Sequence, residues 1–225
     1  LALILSDQEC AAAAVYTMNR VKAAPLYVTM EHLEDGTAWG VAANSGNANA
    51  CCPMSHEYAE EIARLAARAT GRAPADFVVA STGVIGQTLN IAAIRAGMPE
   101  AAAGLTAGPE GSDAAARAIM TTDTVKKELA LACSIGGRTV TLGAIAKGSG
   151  MIHPNMGTML CFLTTDCAIS SEMIKSALLE TVQASFNRIS VDGDTSTNDT
   201  CCVLANGLAG NPVITEKGPD YDAFV

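Results

Sequence analysis

Short apolar runs alternate with amphipathic stretches of helical period along the whole 225-residue chain, and this alternation most narrows what it can fold into. Leu1–Leu5, Ala12–Thr17, Trp39–Ala43 and Phe77–Ala80 read as strands. Between Ser55 and Thr70 the apolar residues Ala59, Ile62, Ala63, Ala66 and Ala69 recur on one helix face, and Gly71 supplies a stop. Two Ala-rich stretches, about Ile91–Gly97 and Asp113–Met120, predict further helices. Leu129–Ile135 and Arg138–Ile145 flank Gly136-Gly137, a hairpin signal because glycine enters the φ > 0 region freely. A strand over Thr158–Thr165 follows. Ser170 is then a natural cap for a helix over Glu172–Phe186, whose Ile174, Leu178, Val182 and Phe186 share a face. The block Ile189–Gly207 reads as a strand, an Asp/Thr/Asn loop and a second apolar run. Strands interleaved with helices predict a mixed α/β (α+β) domain. Neither a repeat nor a low-complexity linker divides it, so a single domain is expected.

Hydrophobic residues make up 49% of the chain but aromatics only 4%, so the core must be close-packed Ala, Val, Ile, Leu and Met. With 16% charged residues and a mean hydropathy of +0.26, the chain is far from the composition of a disordered one. Fourteen basic against 23 acidic residues give a net charge of −9, the wrong sign for a nucleic-acid or anionic-membrane partner. No apolar run is long enough to cross a bilayer as a helix, and no secretory signal is visible. The chain starts without Met inside an apolar run and stops at Phe224-Val225 with no helix cap or polar tail, which reads as a piece of a longer protein. The eight cysteines include two adjacent pairs, Cys51-Cys52 and Cys201-Cys202, and no C-x-x-C. Cys133, Cys161 and Cys167 sit among apolar neighbours. Reduced, packed thiols in a cytoplasmic protein are the expectation.

Three loops are rich in glycine and small polar residues: Asn44–Asn49, Ser81–Gly86 and Lys147–Thr158. Two directly follow strands, where α/β folds place their sites. In the third loop Lys147 precedes its glycines, so the phosphate-loop order G-x-x-x-x-G-K-[ST] is absent. Gly157-Thr158 offers another chemistry. A threonine hydroxyl can attack the preceding carbonyl, and resolution of that ester frees an N-terminal threonine that carries its own base. Asp192-Gly193-Asp194-Thr195-Ser196 lacks the glycine and glutamate positions of a calcium loop and reads as a tight turn. His32, His56 and His153 share no ligand spacing; His153, near the proposed site, fits a supporting role. Asn198-Asp199-Thr200 matches a glycosylation acceptor, which means little without a secretory signal.

Five blocks together resemble the ornithine acetyltransferase (glutamate N-acetyltransferase) family of arginine biosynthesis. They are Asn44–Cys51, Ala80–Gly86, Ala118–Thr124, Lys147–Asp166 and Ser190–Thr200, in family order from end to end. The resemblance implies a layered α/β/β/α sandwich, and that the chain is the N-terminal part of one acetyltransferase domain. Residues 1–157 would belong to an α-chain and 158–225 would begin a β-chain after autocatalytic cleavage between Gly157 and Thr158. Thr158 would then be the nucleophile, Thr82 and Gly83 the oxyanion hole, and Lys147 a substrate-pocket cation. Thr121 would contact substrate, with Thr122 as runner-up.

The implied reaction is ping-pong. N-acetylornithine acylates Thr158, and glutamate then takes the acetyl group; some members also use acetyl-CoA as donor. Neither metal nor organic cofactor is implied. The implied assembly is a heterotetramer of two cleaved α/β pairs, completed by a C-terminal part of the same protein. Two departures stand out: Gly157 replaces the more usual alanine, and Cys52-Pro53 replaces Thr-Gly. The alternatives are an N-terminal-threonine hydrolase or aminopeptidase of related fold, and a catalytically silent fragment.

Overall fold

The computed structural model describes residues 1–152 and 159–225. Among these residues seven strands and six α-helices follow in the order β1 (Ala2–Tyr16), α1 (Ala24–His32), β2 (Thr37–Asn44), α2 (Ser55–Thr70), β3 (Phe77–Ser81), α3 (Ile91–Ala103), α4 (Pro109–Ala118), β4 (Lys127–Ile135), β5 (Arg138–Lys147), β6 (Leu160–Thr165), α5 (Ser171–Ala184), β7 (Thr200–Ala205) and α6 (Pro219–Phe224). The strands hydrogen-bond in the order β3-β2-β1-β7-β6-β5-β4. β2–β3 and β6–β7 are parallel and the remaining pairs antiparallel.

β1 is the hinge of this arrangement. Two apolar runs predicted two strands, but one strand spans both, with the polar Ser6–Glu9 between them. Residues 2–5 and 10–11 pair with β2 and residues 11–16 with β7, and the register on β2 shifts between Leu5 and Cys10. One long strand therefore serves two half-sheets.

Side chains sort accordingly, because successive residues of a strand point to opposite faces. Ala2, Ala12, Ala14, Val41 and Val78 meet Ile145, Leu160, Phe162, Cys202 and Leu204 between the half-sheets. The outer face of β1–β3 packs Leu3, Phe77 and Val79 on Val28 of α1, Ile62 and Ala66 of α2, and Ile94 and Met98 of α3. The outer face of β5–β7 packs Val140, Cys161, Cys201 and Val203 on Ile174, Leu178 and Val182 of α5. The layers run α/β/β/α in one domain, as the resemblance implied. β7 is buried on both faces, which explains its unbroken apolar run.

The adjacent thiols Cys201 and Cys202 point into different layers, and burial raises the pKa of Cys202 well above the ordinary thiol value. All eight cysteines are free. Cys133 departs from expectation: it is exposed on β4, whose residues are exposed up to Ile135.

Several boundaries also differ. α1 carries no amphipathic stripe because it is wedged among neighbours: Pro25, Leu26, Val28 and Thr29 are all buried. α3 runs past Gly97 to Ala103, since Met98 anchors the extra turn in the core. α4 starts earlier, with Pro109 at its N-terminus. Ile189 opens a loop rather than a strand, and α6 covers the expected capless end. The α5 cap behaves as predicted, with Ser170 accepting from the Met173 amide. Among the described residues, no helix is long and apolar enough to cross a membrane.

Candidate active site

The ends of six strands converge on one end of the sandwich. Parallel pairing delivers Asn44, the last residue of β2, beside Ser81, the last of β3. Lys147 closes β5 opposite Leu160, which opens β6; Leu160 pairs with Thr200, and Thr200 with Tyr16 at the end of β1.

The first two glycine-rich loops are stitched into one unit. Ser81 Oγ donates to Asn44 Oδ1 at 2.6 Å, and Asn44 Nδ2 donates to the Asn47 carbonyl at 2.9 Å. The Thr82 amide donates to the Asn44 carbonyl, Val84 to Gly46, and Ala48 to Val84. Gly83 sits at φ +132°, and a Cβ there would lie 2.3 Å from the Gly46 carbonyl carbon. Only glycine tolerates both conditions. Since the Thr82 amide is engaged, that residue has its hydroxyl left to offer. The Gly83 N–H has no partner among the described residues.

Lys147 is 3% exposed and points into this unit. Its Nζ donates to Thr82 Oγ1 at 3.1 Å and to Thr121 Oγ1 at 2.8 Å. Because Thr82 Oγ1 accepts from Lys147, its own proton is directed elsewhere. Thr122 instead shares a 2.7 Å hydrogen bond with Ser149, so it is Thr121 that joins the lysine cluster. Burial lowers the Lys147 pKa, opposed by the Asp123 and Asp199 carboxylates.

Two acidic residues that the sequence did not single out hold the cluster. Asp123 lies 4.0 Å from Lys147 Nζ; it also accepts from Lys127 Nζ (2.7 Å), the Gly148 amide (2.8 Å) and the Thr121 amide (3.3 Å). Burial pushes its pKa up, but these donors outweigh burial and leave it below the usual carboxylate value. Asp199 is fully buried and accepts from the Met159 amide at 3.0 Å. Burial carries its pKa up to about 7, against the pull of the Met159 N–H, the Ser196 and Thr17 hydroxyls and the Lys147 ammonium.

Its neighbour Asn198 is 4% exposed, and Nδ2 donates to the Ala48 carbonyl (2.7 Å) and the Ser81 carbonyl (2.8 Å). That side chain clamps the Thr82-Gly83 loop and is closed to glycosylation. The residue lies in the Ser190–Thr200 block that carries the resemblance, and its N-x-T pattern, given little weight in the sequence, has this structural use instead.

Gly157, Thr158 and His153 lie outside the described residues. On the near side of that stretch, Asp192 accepts from the Met151 (2.5 Å) and Ile152 (3.0 Å) amides, which makes it a main-chain pin. His32 Nδ1 bonds the Phe77 carbonyl, and His56 sits beside Glu60 on α2. No group of three or more metal-ligating side chains occurs among the described residues.

The mixed α/β fold, its seven strands in two half-sheets joined through β1, is shared with the ornithine acetyltransferase class, whose solved structures superpose on it. The arginine biosynthesis bifunctional protein ArgJ of Bacillus halodurans does so with a TM-score of 0.64 at 38% identity, over 70% of this chain and 81% of that one. The ornithine acetyltransferase of Mycobacterium tuberculosis, solved with ornithine, gives 0.60 at 32%, over 70% and 82%. The chain belongs to the ArgJ family, whose model matches residues 1–225. It is 56% identical over 225 residues to the arginine biosynthesis bifunctional protein ArgJ of Symbiobacterium thermophilum, covering all of this chain and 56% of that protein. It is 48% identical to the Synechococcus protein of the same name, covering 99% and 54%. The chain thus spans about half the length of these curated relatives.

Proposed function

We propose that the protein, at the length of its relatives, is an acetyltransferase that moves an acetyl group from N-acetylornithine to glutamate through an ester on Thr158. Gly157-Thr158 is the bond that breaks first. The Thr158 hydroxyl attacks the Gly157 carbonyl, the acyl group moves from nitrogen to oxygen, and water releases residues 1–157 from the chain that begins at 158. The freed α-amine, with an ordinary pKa of about 7.7–8.0, serves as the base for its own hydroxyl.

In the first half-reaction Thr158 Oγ attacks the acetyl carbonyl while the α-amine takes the hydroxyl proton. The Thr82 hydroxyl and the Gly83 N–H receive the developing oxyanion. Collapse expels ornithine, whose amine takes up the proton. Glutamate's amine then attacks the ester by the reverse sequence and leaves as N-acetylglutamate. Lys147 and Thr121 hold the substrate's polar groups, with the cation facing a carboxylate. No metal or organic cofactor enters these steps. The remaining C-terminal part closes the pocket, two cleaved pairs form the assembly, and acetyl-CoA is a second donor to assay.

The observation that carries this reading is the Lys147–Thr82–Thr121 hydrogen-bonded cluster beside Gly83, whose N–H has no partner among the described residues. Intact mass and N-terminal sequencing of the full chain test it. Two pieces are expected, the second beginning at Thr158, with neither cleavage nor acetyl transfer in Thr158→Ala. Acetylglutamate made by uncut Thr158→Ala would overturn the assignment. Acetate as sole product would turn the reading to a hydrolase, and an intact chain after long incubation to a silent module.

A further inference from the structure

Asp199 is a buried carboxylate to which neither the resemblance nor the reading above gives a task. It precedes β7 as Met159 precedes β6, one step ahead of the Leu160–Thr200 pair that opens the parallel ladder. The two positions are tied twice: the Met159 amide donates to Asp199 Oδ1, and the Thr200 amide donates to the Met159 carbonyl at 3.1 Å. The Asp199 carbonyl accepts from the Thr17 amide at 3.1 Å, which locks the residue to the end of β1. Oδ2 is buried with no hydrogen-bond partner among the described residues.

An asparagine would serve a purely structural purpose here. Its carbonyl oxygen could accept the same N–H without the large cost of burying a charge. A carboxylate kept in such a place, bonded to the first described residue of the β6 approach, indicates work that an amide cannot do.

We propose that Asp199 is a positioning residue of the acyl-transfer site. With one oxygen it holds the Met159 N–H, and with its negative charge it sets the electrostatics at the start of β6. The inference rests on the proposed function, which makes residue 158 the nucleophile. Asn198, the adjacent residue, fixes the loop carrying Thr82 and Gly83, so one dipeptide aligns both halves of the site.

The groups facing Asp199 are few. Lys147 on β5 is the charged one; Thr17 after β1 and Ser196 in the preceding loop present neutral hydroxyls, and Met159 presents its amide. The carboxylate stabilises cations around it, so its removal makes a nearby ammonium lose its proton at lower pH. A carboxyl titrating near neutrality places that change inside the working range.

The test uses the full chain, with pH profiles of kcat and KM for N-acetylornithine in wild type, Asp199→Asn and Asp199→Ala. Asp199→Asn keeps the shape and the acceptor. It is expected to move the acidic limb of kcat down by about one pH unit with KM little changed. Asp199→Ala also loses the acceptor and should lose on the order of 10²-fold in kcat. Should the alanine variant fail to fold, the asparagine profile alone decides. An Asp199→Asn profile that superimposes on wild type overturns the proposal. A wild type that makes no acetyl transfer at any pH overturns the proposed function instead, and this inference with it.

Discussion

At the scale of single residues, what decides the site is which polar atom is already engaged. Thr121 and Thr122 are equivalent in sequence, yet one hydroxyl meets Lys147 and the other Ser149. The Thr82-Gly83 loop was legible, because glycine in a strand-ending polar run signals unusual backbone. Asn198, Asp123 and Asp199 were not, since their roles come from partners 25 to 150 residues away. Asp199 also makes stability depend on pH. Its carboxyl rises from an ordinary value of 3.8 to about 7 in the folded chain, so the folded state holds the extra proton between those values. Its contribution is therefore fully present below about pH 4 and is lost as pH rises through about 7. Asp199→Asn should gain about 2 kcal/mol over wild type at pH 8 and almost nothing near pH 4. Urea unfolding at the two pH values checks this, and an equal difference at both would refute it.

Among the elements, α2 was read to the residue because its apolar positions keep a clean period and Gly71 ends it in the left-handed region, at φ +73°. α1 and α6 escaped notice. α1 is enclosed on several sides by the outer core, so no polar face betrays its period. The two runs of β1 looked separate because Ser6–Glu9 carries no apolar alternation, and only pairing with β2 and β7 makes them continuous. Caps remain local features with local costs. Ser170 Oγ accepts from the Met173 amide at 3.4 Å, so Ser170→Ala should lower stability by about 1 kcal/mol. The acetyl-transfer rate should not change, because Ser170 follows the far end of β6, past Thr165, while the site lies at the start of that strand. Thermal unfolding with a parallel activity assay separates the two effects.

For the molecule as a whole, the interface between the half-sheets carries most weight. It is rich in Ala, with Phe162 its largest fully enclosed side chain, 2% exposed. Phe162→Ala should cost about 3–5 kcal/mol, because the ring is buried between two half-sheets and its removal leaves a cavity that the packed neighbours refill only in part. Denaturant titration would show the midpoint falling with the slope unchanged. A loss below 1 kcal/mol would mean that the sheets slide together to refill the space.

By itself the sequence determined the class of the fold, the helices with a clean stripe, the hairpin at Gly136-Gly137 and the loops that carry chemistry. Each follows from local periodicity or from backbone freedom within a few residues. Only the tertiary structure decided that β1 joins two half-sheets, that Lys147 turns toward Thr82 and Thr121, and that Asn198 and Asp199 brace the strand ends. Those outcomes depend on desolvation and on hydrogen bonds across distant chain segments, and no short window of residues contains either.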